Sequence, residues 1–339
     1  MFICSRRWLA ALGLLLLAAR LPAEELFTRV HPAMGTEFTL YIYAADAAAA
    51  DREAGRAFAI VDQLESLLSN YQSQSELSRI NAEAAQHAVT TDPETFRFLK
   101  QSLAWSARSG GAFDITVGKL MKAWGFFRST GHVPSDAELA RVRAETGWQR
   151  VVLNAGTRTV RFTAPGVELD PGGIGKGFAV DAAIEALRAD GVHAALLSAG
   201  SSTIYALGAP PALQGWKVRV PNPRQRNKPI STVVLHDTSL STANCSEKHF
   251  IVGGHLYCHI MDPRTLRPVE GRLQATVIAP SATDSDALSN AMFVLDAPGR
   301  GRLMRSLPRA DAALVVLTGG TQEMYRWEPA VRADAPASQ

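Results

Sequence analysis

Residues 169–181 read Leu-Asp-Pro-Gly-Gly-Ile-Gly-Lys-Gly-Phe-Ala-Val-Asp, and a helical pattern follows them as far as Gly191. Four glycines fall within six positions of this stretch, with Lys176 between the last two. Glycine permits backbone conformations and close approaches that other residues do not. Apolar residues then recur at helical spacing, at Val180, Ile184 and Leu187. The stretch therefore predicts a glycine-rich turn that opens a helix.

The N-terminus of that helix is a candidate anion site. Free backbone N–H groups, the positive end of the helix dipole and a lysine together suit a phosphate group. The run matches neither of two familiar phosphate loops. Asp170 stands where the Walker loop has its first glycine, and the glycines are spaced G-x-G-x-G rather than G-x-G-x-x-G. A phosphate site of another kind and a purely structural turn are both open at this point.

The chain of 339 residues has the composition of an ordinary globular protein, with 47% hydrophobic and 20% charged residues. Its length permits one large domain or two. The formal net charge is only +3, and the short basic run over residues 224–228 is typical of a solvated loop. These values argue against nucleic acid as a partner.

The first 23 residues predict an export signal rather than part of the fold. Arg6 and Arg7 precede an apolar run over residues 8–19, which has the length of a signal-peptide core and is short for a membrane span. The arginine pair also resembles a twin-arginine signal. An ordinary secretory route, a twin-arginine route and an uncleaved inner-membrane anchor are therefore alternatives. We expect a periplasmic protein with a folded domain over residues 24–331 and a disordered tail over residues 332–339.

Two cysteines, Cys245 and Cys258, remain after such a signal is removed. An oxidising compartment would permit a disulfide between them. Their separation in space cannot be read from the sequence, so a disulfide and two free thiols are both open.

Strand and helix patterns alternate irregularly along the chain. Capping boxes at residues 73–76 and 135–138, and the pair Asp92-Pro93, predict helix starts. Because hairpins and helices are interspersed without a regular βαβ repeat, the sequence predicts an α+β fold with largely antiparallel sheets. Strands are expected at 38–42, 151–153, 160–162, 194–198, 216–220, 233–235, 250–252, 256–258, 312–317 and near Tyr325, and C-terminal helices at 284–295 and 300–307.

Two polar stretches beyond the glycine turn carry residues suited to chemistry. His259 ends a predicted hairpin and enters an Asp-Pro-Arg-Thr turn, where loops often present functional groups. Asp286 and Asn290 are four residues apart and so share one face of a predicted helix, away from its apolar face. A carboxylate, an amide oxygen and backbone carbonyls are suitable ligands for Mg²⁺. A structural histidine and an acidic residue near a helix start would give the same pattern.

Taken together, the motifs resemble those of the FAD:protein FMN transferases, the ApbE-like flavin transferases. No single piece is specific, but the ordered set across nearly the whole chain after residue 23 is typical of this family. The matching pieces are Met34-Gly35-Thr36, Tyr71 with residues 75–81, residues 111–118, Trp124-Gly125-Phe126, residues 170–181, residues 259–265 and Asp286-Ala287-Leu288.

The resemblance implies an ApbE-like fold and a reaction. Such enzymes bind FAD with Mg²⁺ and move its FMN half onto a threonine or serine hydroxyl of an acceptor flavoprotein, with release of AMP. Because this is phosphoryl transfer, positioning and charge neutralisation should dominate catalysis. The resemblance also allows peripheral association with the inner membrane through the acceptor.

The resemblance further implies roles for individual residues. His259 would act as general base for the acceptor hydroxyl, because histidine titrates near neutral pH. The metal would be held by the Gly175 carbonyl, Asp286, Ser289 and Asn290. The FAD-binding residues would be Met34, Tyr71, Ala112, Phe113, Asp114, Gly172, Lys176, Phe178, Asp181 and Ile260.

Several positions depart from the family pattern. The family usually has Ala at position 175, Gly at 266 and Thr at 290, where this chain has Gly175, Leu266 and Asn290. The family also usually has a Thr-Ser-Gly-x-Tyr run where this chain has Thr242-Ala-Asn-Cys-Ser246, and paired glycines where it has Gly200-Ser201. The changes fall around the expected metal site and a loop expected beside the flavin. Two alternatives therefore accompany the transferase. One is a pyrophosphatase that splits FAD into FMN and AMP with water, and the other is a protein that binds FAD without turnover.

Overall fold

The computed structural model describes residues 24–225, 227–246, 248–307, 312–317 and 319–326. The expected export signal (1–23) and the expected tail (332–339) lie outside the described residues. Among the helices in the described ranges, none combines the length and apolar character that crossing a bilayer requires.

Two of the three helix starts predicted from capping patterns are confirmed. Asp92 caps α3 (Pro93–Arg108), and residues 135–138 form the reciprocal capping box at the start of α5 (Asp136–Glu145). The box predicted at residues 73–76 was wrong by two positions, because the side chain that accepts from the Ser78 N–H belongs to Ser75 rather than Ser73. The α-helices are α1 (Ala47–Leu68), α2 (Glu76–Glu83), α3 (Pro93–Arg108), α4 (Gly118–Ala123), α5 (Asp136–Glu145), α6 (Gly175–Ala189), α7 (Ala282–Val294) and α8 (Ala297–Ser306).

The strands form one large antiparallel sheet and several small ones, which confirms the predicted α+β class. The large sheet has the order β1-β2-β6-β7-β10-β15-β16-β17, and the small sheets are β3-β5-β4, β8-β9, β11-β12 and β13-β14. The strands are β1 (Glu25–Ala33), β2 (Thr36–Ala44), β3 (Val89–Thr90), β4 (Val151–Asn154), β5 (Thr159–Phe162), β6 (Ala194–Ala199), β7 (Thr203–Gly208), β8 (Trp216–Val220), β9 (Ser231–Leu235), β10 (Thr238–Asn244), β11 (His249–Val252), β12 (His255–Cys258), β13 (Met261–Asp262), β14 (Arg267–Pro268), β15 (Arg272–Ala279), β16 (Ala312–Leu317) and β17 (Gln322–Arg326).

Three strands at the centre of the large sheet, β7, β10 and β15, were missed by the sequence prediction. Strand β10 is the clearest case, because it is buried yet rich in hydroxyl side chains. Ser239 and Ser241 each form a hydrogen bond with the hydroxyl of Ser285 on α7, at 2.8 and 2.6 Å. A buried hydroxyl costs little when it is paired, so this strand does not need the apolar alternation by which strands are recognised.

The large sheet separates two hydrophobic layers. Helices α1, α6 and α7 pack on one face and form the main core with it. The hairpin β8-β9 covers part of the other face, where Trp216 and Val218 pack against Leu196 and Leu240. Residues of the glycine turn lie at the start of α6, so the helical layer fixes where that turn stands.

Helices α6 and α7 approach each other closely at Gly177. A Cβ atom at this position would overlap the carbonyl oxygen of Ala282 and would lie 2.8 Å from the Cβ of Asp286. The N–H of Gly177 instead donates to the carboxylate of Asp286 at 3.0 Å. The last glycine of the motif is therefore required by helix packing.

We expect Gly177→Ala to lower the free energy of unfolding by about 2–4 kcal/mol, because the added methyl group meets backbone that cannot yield. Gly55 in α1 is the matched control, since a Cβ there meets no atom within 4 Å. Gly55→Ala should leave stability equal or raise it by up to about 1 kcal/mol. Urea denaturation of both variants measures the difference, and equal stabilities would contradict the packing argument.

Candidate active site at the glycine turn

Two adjoining cavities meet at the glycine turn. The larger, of about 730 Å³, lies between the β1-β2 turn, the C-terminal end of α1 and the glycine turn. The smaller, of about 200 Å³, extends from the glycine turn toward His259 and α7. The combined volume of the two cavities lies in the size range of ligand pockets. The residues that line both are Tyr71, Phe127, Asp170, Gly172, Lys176 and Lys248.

The glycine turn is built around Pro171. Its carbonyl accepts from the N–H groups of Ile174 and Gly175, so the chain enters α6 without a capping side chain. Asp170 closes the turn from the other side by accepting from the Gly172 N–H at 2.8 Å. Burial raises the pKa of the Asp170 carboxyl above its usual range. Asp170 lines both cavities, yet the sequence reasoning did not select it, although it opens the motif.

Aromatic residues and two residues with positive φ angles border the larger cavity. Met34 and Gly35 form the two-residue turn between β1 and β2, and both have positive φ angles, of 51° and 69°. Both residues line the cavity. Tyr71 stacks on Phe127 with ring centroids 4.5 Å apart and planes within 6°. A stacked pair of this kind at a cavity wall is a suitable partner for another planar ring.

The three residues from Ala112 to Asp114 line the smaller cavity, as does the buried Ile260. Asp114 is buried, and its carboxylate accepts from the backbone N–H groups of Thr116 and Trp148, each at 2.9 Å. Burial raises the pKa of the Asp114 carboxyl against the opposing effect of these hydrogen bonds. The side chain therefore joins its own segment to the segment at Trp148 in addition to lining the cavity.

His259 reaches the smaller cavity from the loop that follows β12. Its Nδ1 lies 2.9 Å from the carbonyl oxygen of Lys248, and the backbone N–H of His259 donates to the same oxygen at 3.1 Å. Burial, and to a smaller extent the charges of Lys248, Lys176 and His249, lower the pKa of His259 from 6.5 to about 4, although the hydrogen bond to the Lys248 carbonyl raises it. The imidazole is therefore neutral at pH 7 and able to accept a proton.

The expected metal ligands fall in two places. Asn290 lines the smaller cavity and donates to the carbonyl of Gly173 at 3.2 Å. Gly173 rather than Gly175 thus supplies the carbonyl beside Asn290, while Gly175 is the first residue of α6 and lines the larger cavity. Gly175 begins α6 two residues after Gly173, and its role as a metal ligand stays a prediction.

Asp286 and Ser289 lie behind the cavity wall. Asp286 is only 4% exposed, so the expectation that it lies away from the buried part of the helix was wrong. α7 is buried on nearly all sides, and the Asp286 carboxylate faces Gly177 on α6. The Ser289 hydroxyl is 1% exposed and donates to the backbone carbonyl of Asp286 at 2.8 Å. The Ser289 hydroxyl therefore forms its hydrogen bond within its own helix and does not face the cavities.

Two residues expected to bind FAD, Phe178 and Asp181, make structural contacts in the fold. Phe178 is fully buried against Phe98, and the guanidinium of Arg97 lies 4.3 Å from the centre of its ring. Asp181 accepts from the backbone N–H groups of Ala282 and Thr283, at 2.7 and 2.8 Å. It thereby caps the start of α7 from a neighbouring helix. Neither residue lines either cavity.

Lys248 is a site residue that the sequence analysis missed. It lines both cavities, and it follows Cys245 on a segment that a disulfide to Cys258 closes into a loop. The disulfide settles the pairing that the sequence left open. A lone lysine in an irregular segment does not indicate a binding site. Its position between the two cysteines, shortly before His259 in the sequence, could nevertheless have indicated that it lies near the site.

Comparisons with known proteins agree with this architecture. The model of the ApbE family matches residues 34–314. An FAD:protein FMN transferase of Treponema pallidum is 30% identical over 305 residues, which cover 85% of this chain and 84% of the relative. The crystal structure of the ApbE protein from Thermotoga maritima superposes with a TM-score of 0.81 at 29% identity, covering 88% of this chain and 96% of that one. The apo flavinyl transferase ApbE of Pseudomonas stutzeri gives 0.78 at 28% identity, covering 90% and 95%.

We expect an NMR titration to find the His259 imidazole neutral from pH 8 down to about pH 5, because its pKa is about 4. Lys176→Gln should raise that pKa, since it removes a repelling positive charge. Lys100→Gln, an exposed lysine of α3 outside both cavities, is the matched control and should leave the titration unchanged. A His259→Gln spectrum assigns the signal. A midpoint near 6.5 in the parent protein would contradict the buried environment described above.

Proposed function

The chain belongs to the ApbE family, and we propose that its two adjoining cavities form the site at which FAD is bound and cleaved. The protein is an FAD:protein FMN transferase, which moves FMN from FAD to an acceptor flavoprotein and releases AMP. The observation that carries the assignment of the site is the meeting of a neutral histidine, the glycine turn and Lys176 at one small cavity.

The pyrophosphate of FAD is proposed to lie where the two cavities join. Lys176 stands there, in the first turn of α6, where the helix dipole also favours negative charge. The two halves of the dinucleotide would then extend into the two cavities. Tyr71 and Phe127 offer a stacked aromatic surface for a planar ring at the junction.

His259 is proposed to take the proton of the acceptor hydroxyl. That oxygen forms a bond to the phosphorus of the FMN half, and the bond from that phosphorus to the bridging oxygen breaks, so that AMP leaves with the bridging oxygen. The acceptor hydroxyl belongs to a threonine or serine. A base with a pKa below the working pH is present in its proton-accepting form. Burial is the main cause of the low pKa of this base, and the lysine that would attract the pyrophosphate contributes to it.

The donor groups beside Asn290 fit a magnesium ion. They are the carbonyl of Gly173 and the carboxamide of Asn290 at the smaller cavity, and the buried carboxylate of Asp286 one helical turn earlier in α7, behind the cavity wall. Mg²⁺ is commonly held by one or two carboxylates together with substrate phosphates, which suits a site with a single carboxylate. When bound, the ion would neutralise charge on the pyrophosphate as the leaving group departs. Asp286 would set its affinity, and Asn290 would adjust the geometry.

The enzyme is proposed to work in the periplasm, where it would meet an acceptor held at the inner membrane. The basic and apolar pattern of the first 23 residues supports export. The Cys245–Cys258 disulfide is in keeping with an oxidising compartment. Cell fractionation with and without residues 1–23 tests this, and full-length chain confined to the cytosol would contradict it.

The transferase is tested by mixing the purified protein with FAD, Mg²⁺ and a candidate acceptor flavoprotein. Flavin fluorescence that stays with the acceptor on a denaturing gel is the expected result, and it should be lost with His259→Gln. Free FMN and AMP without a labelled acceptor would favour the pyrophosphatase. Intact FAD bound to the protein would favour the non-catalytic binding protein.

We expect Asp286→Asn to slow FMN transfer by roughly a hundredfold, about 2.7 kcal/mol in activation free energy, because the site loses its only negative ligand. Asparagine is preferable to alanine here, because it keeps an oxygen for the Gly177 N–H. Calorimetric titration of the FAD-loaded protein with Mg²⁺ should show a parallel loss of affinity. Asp284→Asn, in the first turn of the same helix, is the control. Unchanged Mg²⁺ affinity in Asp286→Asn would refute the metal assignment.

Asn290→Thr should lower the Mg²⁺ concentration needed for half-maximal turnover. Threonine offers a compact hydroxyl, whereas the carboxamide of Asn290 already donates to the carbonyls of Gly173 and Asp286. Asn290→Leu should nearly abolish turnover, because it offers no ligand oxygen. If the parent protein is inert at every Mg²⁺ concentration and Asn290→Thr restores activity, the natural chain is a binding protein.

A further inference from the structure

The segment between the two cysteines, residues 245–258 and here called the cystine loop, stands apart from the main sheet. Its strands β11 and β12 pair only with each other among the described strands. An isolated two-stranded hairpin is marginally stable in water. The far end of this one is exposed, with Ile251 63% and Leu256 47% accessible. The disulfide joins the loop covalently at its base, where Cys245 follows β10 and Cys258 ends β12.

The base of the cystine loop contacts His259 through one carbonyl oxygen. The carbonyl of Lys248 accepts from the His259 backbone N–H and lies 2.9 Å from its Nδ1. A carbonyl can only accept, so Nδ1 must carry the proton of the neutral imidazole. Nε2 is then the atom with the free electron pair, which is the arrangement a general base needs.

The side chain of Lys248 approaches the same site from the same loop. It lines both cavities, together with Asp170 and Lys176. It also lines a neighbouring cavity of about 210 Å³ beside Phe250. A second ammonium group at the junction of the cavities is suited to an anionic phosphate.

We infer that the disulfide makes the cystine loop a positioning element for the reaction, and that Lys248 is the residue through which it acts. The backbone carbonyl of Lys248 fixes the tautomer and orientation of His259, and its ammonium group binds the pyrophosphate of FAD. The inference rests on the proposed function of the two cavities. It predicts that activity requires the disulfide, although the outer part of the cystine loop does not belong to the main hydrophobic core.

The alternative is that the disulfide only stabilises the fold. Two contacts already attach the loop to a small hydrophobic cluster that contains Trp124 and Phe126. The ring centres of Phe250 and Phe126 lie 5.2 Å apart, and those of Tyr257 and Trp124 lie 5.5 Å apart. The bond closes a short loop, so its effect on the unfolded chain is limited to about 3 kcal/mol. A test must therefore separate the chemistry of His259 from stability.

The decisive variant is Cys245→Ala with Cys258→Ala, studied as the purified full chain. Circular dichroism should show the native fold with a lower melting temperature. Nitrogen-15 shifts of the His259 imidazole should change from a protonated Nδ1 to a mixture of tautomers. The transfer rate should fall at least roughly tenfold, within the range of general-base effects, and the acid limb of the pH profile should move upward as the ring becomes more exposed. The charged and titratable groups that face this ring are Lys176, Lys248 and His249.

Lys248→Met tests the second half of the inference without altering the disulfide. It should raise the dissociation constant of FAD about fivefold to tenfold, as expected for the loss of one charged contact, while Nδ1 stays protonated. Lys100→Met, an exposed lysine of α3, is the control and should bind FAD normally.

A folded double-alanine variant with an unchanged tautomer and an unchanged transfer rate would overturn the inference. If that variant does not fold, reduction of the native protein with dithiothreitol followed by alkylation provides the same comparison, and an unchanged tautomer would again overturn it. An intact protein that transfers no FMN would refute the proposed function, whereas the tautomer and FAD-affinity measurements would still decide the role of the loop.

Discussion

The close approach of α6 and α7 at Gly177 is the contact on which the site depends. It lets a backbone N–H of one helix donate to a carboxylate of the other. It also brings the glycine turn at the start of α6 against Asn290 on α7. Asp181 strengthens the same junction by capping α7 from α6. The turn that we propose for the phosphate and the helix that we propose for the metal are thus fixed relative to each other by contacts of backbone atoms, which do not rearrange easily.

The charges around His259 have a consequence for substrate binding. Burial and the neighbouring lysines keep the imidazole neutral in the free protein. A pyrophosphate bound between those lysines would offset their repulsion and raise the basicity of the ring. The base would therefore become stronger when substrate is in place, which ties proton transfer to occupancy of the site.

Several buried polar groups near the site are satisfied by helix ends or by one another. Ser285 of α7 forms hydrogen bonds with two serines of β10, and Asp114 accepts from the backbone N–H groups of Thr116 and Trp148. Leu266 is a contrasting case, because it has a φ of +60° although it is not glycine, and the residue is buried. Its carbonyl accepts from the Trp124 indole, so burial and a hydrogen bond maintain a backbone conformation that is otherwise costly.

The sequence by itself determined the features that depend on neighbours along the chain. The helix cap at Asp92, the box at residues 135–138, the glycine turn before α6 and the family motifs were all readable, because propensity and spacing are local. Tertiary structure decided the rest. Only the folded chain shows that Gly173 rather than Gly175 meets Asn290, and that Phe178 and Asp181 serve packing. It likewise brings Lys248 to His259 through a disulfide. These relations join residues distant in sequence, and β10 was missed for the same reason, since its buried serines are matched by a helix that comes later in the chain.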